Sequence, residues 1–181
     1  MKSMVREQIG VQNAVTTRRI AVSAVFAALI TLMTAYIFHI PVGANGGYVH
    51  LGDALIYLAA ATLPMPYACA AGAIGGGLAD LLTSPVWAPA TIIIKMLICL
   101  PFTSKGKKLV NRRNVIALVV AFVISGTGYF IAEGIMFGFT VSFLTSISGS
   151  VVQSGGSAIV FLIIGTALDK IGFKQNIAKD I

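Results

Sequence analysis

Hydropathy along the chain resolves six apolar segments separated by short polar or proline-containing breaks. The first, Ile20 to His39, has the roughly twenty residues needed to span a bilayer's hydrocarbon as a helix. Leu51 to Leu63 is shorter, and Pro64-Met65-Pro66 breaks it from a third segment, Tyr67 to Thr83. Pro85 and Pro89 bracket a turn before the fourth, Ala90 to Phe102, because proline suits a helix's first turn and breaks its interior. The fifth and sixth run from about Val115 to Phe139 and from about Ile147 to Leu168.

Segments two to four hold only thirteen to seventeen residues each. At 1.5 Å per residue the shortest reaches about 20 Å, less than a hydrocarbon core of roughly 30 Å. Part of the thickness must then be crossed by loop, which is tolerated only inside protein or along a cavity. The loop from Ile40 to His50 is therefore expected to dip inward as an outer lid.

Composition agrees with this pattern: 57% of the 181 residues are hydrophobic, 10% are charged, and mean hydropathy is +0.91. The expectation is an all-α integral membrane protein of one domain, with residues 1–19 as a cytoplasmic N-terminal segment, 20–168 as a six-helix bundle and 169–181 as a cytoplasmic tail. The net charge of +7 does not point to nucleic acid, since the basic residues flank apolar helices and are not interleaved with exposed aromatics. Cys69 and Cys99 lie in apolar stretches without metal-ligand spacing, and the polar first eighteen residues argue against a cleavable signal.

Charge supplies a direction. Lys2, Arg6, Arg18 and Arg19 precede the first segment; Lys105, Lys107, Lys108, Arg112 and Arg113 lie between the fourth and fifth; Lys170, Lys174 and Lys179 follow the sixth. Six crossings place all three groups on one side, which the positive-inside rule makes cytoplasmic, with both termini there. Fusing the second and third segments would put the basic connection outside, against that rule. Of the 13 Lys and Arg, only Lys95 then sits at membrane depth.

Most of the other polar groups at membrane depth fall in the outer leaflet of this topology. Tyr48, His50 and Asp53 precede or begin the second helix, Asp80 ends the third, Trp87 is in the outer turn, and Glu133 and Gln153 lie in the outer halves of the fifth and sixth. Ionisable groups at that depth are costly enough to suggest function. Lys95 could equally pair with Asp53 or Asp80 for helix registry alone. Tyr48, Trp87, Tyr129 and Phe137 could give aromatic faces to a flat ring, although Trp and Tyr also mark membrane interfaces. The excess of Asp53, Asp80 and Glu133 over Lys95 leaves room for a neutral or cationic ligand.

Ala21, Ala24 and Ala28 make a small-residue face suited to a partner helix, while Gly72 to Gly76 and Gly134 to Gly138 suit packing within the bundle. No Walker lysine, HExxH or GxSxG occurs, and neither Asp53 nor Asp80 stands in the GxGD pattern of intramembrane aspartyl proteases.

The runs Gly46-Gly47-Tyr48-Val49-His50-Leu51-Gly52-Asp53-Ala54, Gly72 to Leu82, Trp87-Ala88-Pro89-Ala90-Thr91 and Ile94-Lys95 together resemble the S components of energy-coupling factor (ECF) vitamin transporters, nearest the riboflavin-type or hydroxymethylpyrimidine-type subfamily. The resemblance implies a non-enzymatic subunit of the plasma membrane. It would capture a water-soluble vitamin from outside, such as pyridoxine, hydroxymethylpyrimidine, thiamine or riboflavin, as substrate and not cofactor. Uptake would be energised through a transmembrane coupling subunit and two cytosolic ATPases. It further implies substrate contacts at Tyr48, His50, Trp87, Lys95, Glu133 and Gln153, with Asn45, Asp53, Asp80 and Tyr129 as binding or structural positions, no metal ligands, and docking of the coupling subunit at Ala21, Ala24 and Ala28. Two other classes are weighed beside it: a self-sufficient proton-coupled transporter using Glu133 or Asp80, whose usual inverted repeat is not evident, and an intramembrane enzyme.

Overall fold

The computed structural model describes residues 2–37, 39–42 and 47–176. Helix α1, Lys2–Leu32, continues as a π-helical stretch, Met33–Ile37, and leads into an antiparallel pair of strands, β1 (Ile40–Val42) and β2 (Gly47–Val49). Then follow α2 (Asp53–Thr62), α3 (Met65–Thr83), a 3-10 turn at Pro85–Trp87, α4 (Ala88–Leu97), α5 (Arg112–Phe137), α6 (Phe139–Lys170) and the short α7 (Phe173–Asn176). α1 packs on α3, α3 on α4, α4 on α5 and α5 on α6, with α2 inside against α3 and α6.

Local chemistry sets the breaks. Leu63, held extended at φ −90 and ψ 150 by the proline that follows it, ends α2. Pro66 and Pro89 stand in the first turns of α3 and α4, where a missing N–H costs nothing. Asn111 caps α5 by accepting from the Asn114 amide at 3.0 Å.

Among the described residues, three helical stretches are long and apolar enough to cross a membrane: Gly10–Ile37, Arg112–Phe137 and Gly149–Lys170. α3 has 19 residues, with glycines and Asp80 diluting its apolarity, and α2 and α4 have 10 each, about 15 Å of helix. The distribution of polarity is that of a membrane protein. Ile116, Val119, Ile135 and Ile163 are 63%, 64%, 73% and 64% exposed, whereas Asp53 and Lys95 are 0% exposed.

Three expectations change. Within the stretch expected as a loop from Ile40 to His50, Ile40–Val42 and Gly47–Val49 form a strand pair, with Ile40 opposite Val49 and Pro41 opposite Tyr48; a proline is accommodated because each strand of a two-stranded sheet keeps an unpaired edge. The polar residues before Ile20 are helical from Lys2, so α1 extends well beyond its apolar run, and hydropathy marks only the part suited to lipid. The break expected between the fifth and sixth segments, over residues 140–146, is instead a single residue, Gly138 at φ +97. Gly134 and Gly138 therefore do not form a helix-packing face. Gly138 makes the reversal, and Gly134 leaves room for the Phe139 ring.

The Gly72 to Gly76 face does pack internally. A Cβ at Gly72 would stand 3.1 Å from the Lys95 carbonyl oxygen, and one at Gly76 would stand 2.8 Å from Lys95 Cγ. Gly75 serves the opposite neighbour, where a Cβ would lie 2.8 Å from both the Ala27 carbonyl oxygen and Ile30 Cβ. Thr31 and Ser23 fasten this contact by donating to the Gly75 and Tyr67 carbonyls at 3.0 and 2.6 Å.

Gly75→Ala should therefore lower stability by about 1–3 kcal/mol, because the obstacle is helix backbone that must move as a unit. Gly155→Ala, where a Cβ meets nothing within 4 Å, should not lower it, since alanine is the better helix former. Unfolding of both variants in detergent measures the difference.

Candidate functional site

The polar centre lies where α2, α4, α5 and α6 meet. Asp53, the first residue of α2, accepts at Oδ1 from Lys95 Nζ of α4 at 2.6 Å. Both side chains are fully buried. The second carboxylate oxygen accepts from Gln153 Nε2 of α6 at 3.1 Å. α5 contributes Tyr129, whose ring centroid is 5.3 Å from Lys95 Nζ and whose hydroxyl is 3.0 Å from Thr91 Oγ1. Lys95 is thus held by one full charge and one aromatic face. Neither partner is dispensable to a cation taken out of water.

A second group hangs from the strand pair. Tyr48 of β2 donates its hydroxyl to Asp80 Oδ1 near the end of α3, and its ring stacks on His39 with centroids 4.0 Å apart. The other oxygen of Asp80 is buried without a hydrogen-bond partner, an arrangement that costs free energy unless a ligand group or water answers it. His50 is also buried. Its Nδ1 accepts from the Gly52 amide at 3.0 Å and lies 3.4 Å from Thr34 Oγ1, which puts the ring proton on Nε2. Thr34 belongs to the π-helical stretch, and its carbonyl is 3.2 Å from His39 Nδ1. The irregular end of α1 thereby orients both imidazoles, in keeping with the tendency of π-bulges to sit at functional sites.

The third component is aromatic. Trp87 is buried, with ring centroids 6.1 Å from Tyr129 and 5.8 Å from Phe137. It is packed inside the bundle and does not stand in an exposed interfacial belt. Glu133 is buried in α5 one helical turn beyond Tyr129 and carries a polar contact of its own.

The structure thus joins Asp53, Lys95, Gln153 and Tyr129 directly, joins Tyr48 to Asp80, and places His50 beside the hairpin and Trp87 against Tyr129. Asn45 lies outside the described residues. Thr34, His39 and Thr91 also belong to the set, and they do not stand out as site residues in the sequence. Their signal was polarity within or just after apolar runs, which is weak because threonine can bond its own helix carbonyls. Ala21, Ala24 and Ala28 are exposed on α1, beside Val25, Leu29 and Leu32, while Ser23, Ala27 and Ile30 face inward.

Comparison with known proteins adds the family. The model of the ECF-type riboflavin transporter S component matches residues 14–170. A protein of Pyrococcus woesei, described as an uncharacterized protein in gap 3'region, is 28% identical over 150 residues, spanning 76% of this chain and 98% of that protein. The chain belongs to the riboflavin-type S components of ECF transporters, membrane subunits that bind substrate and are not enzymes.

The fit around Gly52 gives a direct test of the site's construction. Its backbone is helical and any residue could adopt it, yet an added Cβ would strike Thr34 and stand 3.0 Å from His50 Nδ1. Gly52→Ala should loosen the hairpin's root by about 1–3 kcal/mol. Amide hydrogen exchange at Val49 to Gly52 should accelerate by about fivefold or more, with the middle of α5 unchanged.

Proposed function

We propose that this S component binds riboflavin at the junction of α2, α4, α5 and α6 and delivers it across the membrane when coupled to partner ATPases. The observation that carries the reading is the meeting of the Trp87, Tyr129 and Phe137 rings, Trp87 buried and Phe137 at the exposed edge, with the buried Asp53, Lys95, Gln153 and Asp80 polar set. A flat heteroaromatic ring with donors and acceptors on its edge needs both.

Charge refines the choice among vitamins. Lys95 is neutralised by Asp53, which leaves Asp80, hydrogen-bonded by the Tyr48 hydroxyl, and Glu133 as the acids in excess. Such a site disfavours an anionic vitamin and admits an uncharged one, and riboflavin is uncharged. The unpartnered Asp80 oxygen accepts a ring N–H or a ribityl hydroxyl in this reading, while Gln153, His50 and Glu133 supply the remaining polar contacts.

The topology belongs to the same proposal. Six crossings, with α2 to α4 sharing the thickness with the hairpin and turns, put both termini and the basic connection between α4 and α5 in the cytoplasm of a plasma-membrane protein. The exposed Ala21, Ala24 and Ala28 face receives the transmembrane coupling subunit, since small side chains let a partner helix approach closely. Two cytosolic ATPases act through that subunit, consistent with the absence of a nucleotide-binding motif here.

Trp87 is the chain's single tryptophan, so its fluorescence reports on the site. Riboflavin should quench it on titration of the purified protein, with pyridoxine and thiamine weaker by at least about tenfold. Tighter binding of either would overturn the substrate assignment. Leucine at Ala24 and Ala28 should leave that titration intact and abolish uptake by the assembled transporter; uptake by the chain alone that collapses with a protonophore would refute the partner-driven reading.

A further inference from the structure

The basic end of the bundle holds a feature that substrate capture does not use. A cavity of about 650 Å³ opens between Arg19 of α1, the turn joining α2 to α3, the connection joining α4 to α5, and α7. Arg19, Lys105, Lys107, Arg113 and Lys174 line it, and no carboxylate does among the described residues. Met65 and Leu100, both more than two-fifths exposed, are among the apolar residues of the wall.

The walls are fixed by hydrogen bonds that regular secondary structure does not explain. Lys174 Nζ donates to the Ser104 and Gly106 carbonyls at 2.5 and 2.8 Å, and Arg113 Nε donates to that of Pro101 at 3.3 Å. The Asp169 carboxylate accepts from the Leu109 and Val110 amides at 2.7 and 2.9 Å. Asn114, fully buried, accepts from the Thr103 amide at 2.8 Å and donates to the Thr103 and Leu109 carbonyls at 3.0 and 2.9 Å. An irregular connection is thus pinned to α5, α6 and α7 so that its lysines stay grouped despite their repulsion. Burial pulls Lys174 below the usual lysine range, partly offset by Asp169, and an anion in the cavity would offset it further.

We propose that this cavity binds the phosphodiester headgroup of an anionic phospholipid, the cations taking the phosphate and Met65 and Leu100 taking the glycerol and first acyl carbons. A soluble phosphate would need only the cations, whereas a lining that passes from lysine and arginine to exposed apolar side chains matches a molecule with both parts. Basic pockets between membrane helices commonly hold such headgroups. The inference rests on the orientation proposed above only for which leaflet supplies the lipid.

Native mass spectrometry of the full chain released from nanodiscs of phosphatidylglycerol or phosphatidylcholine tests it. The anionic lipid should be retained and phosphatidylcholine not. Lys105→Gln with Lys107→Gln, at exposed positions with no expected effect on thermal unfolding, should weaken retention about thirtyfold, at about fivefold per basic side chain near a membrane surface. Equal retention of both lipids overturns the proposal. So does binding of inorganic phosphate alone with the same sensitivity to the two lysines, which reassigns the cavity to a soluble anion. Unchanged lipid retention with loss of coupling-subunit association overturns it in favour of a protein contact. The readout is indifferent to sidedness and to vitamin binding, so its failure leaves the riboflavin reading standing.

Discussion

The buried contact between Asp53 and Lys95 is the constraint on which the rest of the arrangement depends. Two opposite charges 2.6 Å apart with no exposure are tolerable inside a membrane protein only while both remain in place and their other valences are answered. Gln153 answers the carboxylate and the Tyr129 ring faces the ammonium. One pair therefore fixes the start of α2 against the last turn of α4 and draws α5 and α6 onto both. The α3 glycines permit it, because the Lys95 stem lies where a side chain at Gly76 would otherwise be.

From that strut the remaining site follows by short links. Asp53 follows directly on Gly52, whose amide is held by His50, and His50 meets Thr34 at the π-helical end of α1. The hairpin that carries His50 also carries Tyr48 to Asp80. Thr91, one turn before Lys95 on α4, holds Tyr129, against which Trp87 packs. The polar contacts and the aromatic cluster are thus two sides of one assembly, suited to a planar polar ligand, while the opposite, basic end is pinned separately through Asp169, Lys174 and Asn114.

The helical segments and the residues of the centre were legible in the sequence because membrane depth makes apolar runs long and buried charge rare. Lys95 stands out as a lysine inside an apolar run, and Asp53, Asp80, Glu133 and Gln153 stand out for the same reason. Which acid pairs with Lys95 was not legible. That depends on the relative height of helices 42 residues apart in sequence, and the glycines of α3 set it through space left empty. The hairpin was hidden because Ile40-Pro41-Val42 reads as a continuation of the apolar run. The reversal at Gly138 was hidden because the polar residues after it imitate a loop, whereas the left-handed backbone of one glycine is enough to turn the chain.

A double-mutant cycle on unfolding free energy, combining Asp53→Asn with Lys95→Met, measures the strut itself. Each single change should cost about 3–5 kcal/mol by leaving one buried charge uncompensated. The double variant should cost less than the sum, with an interaction of at least about 2 kcal/mol. Additive losses would mean that the two groups do not depend on one another, and would contradict the account of how this site is held together.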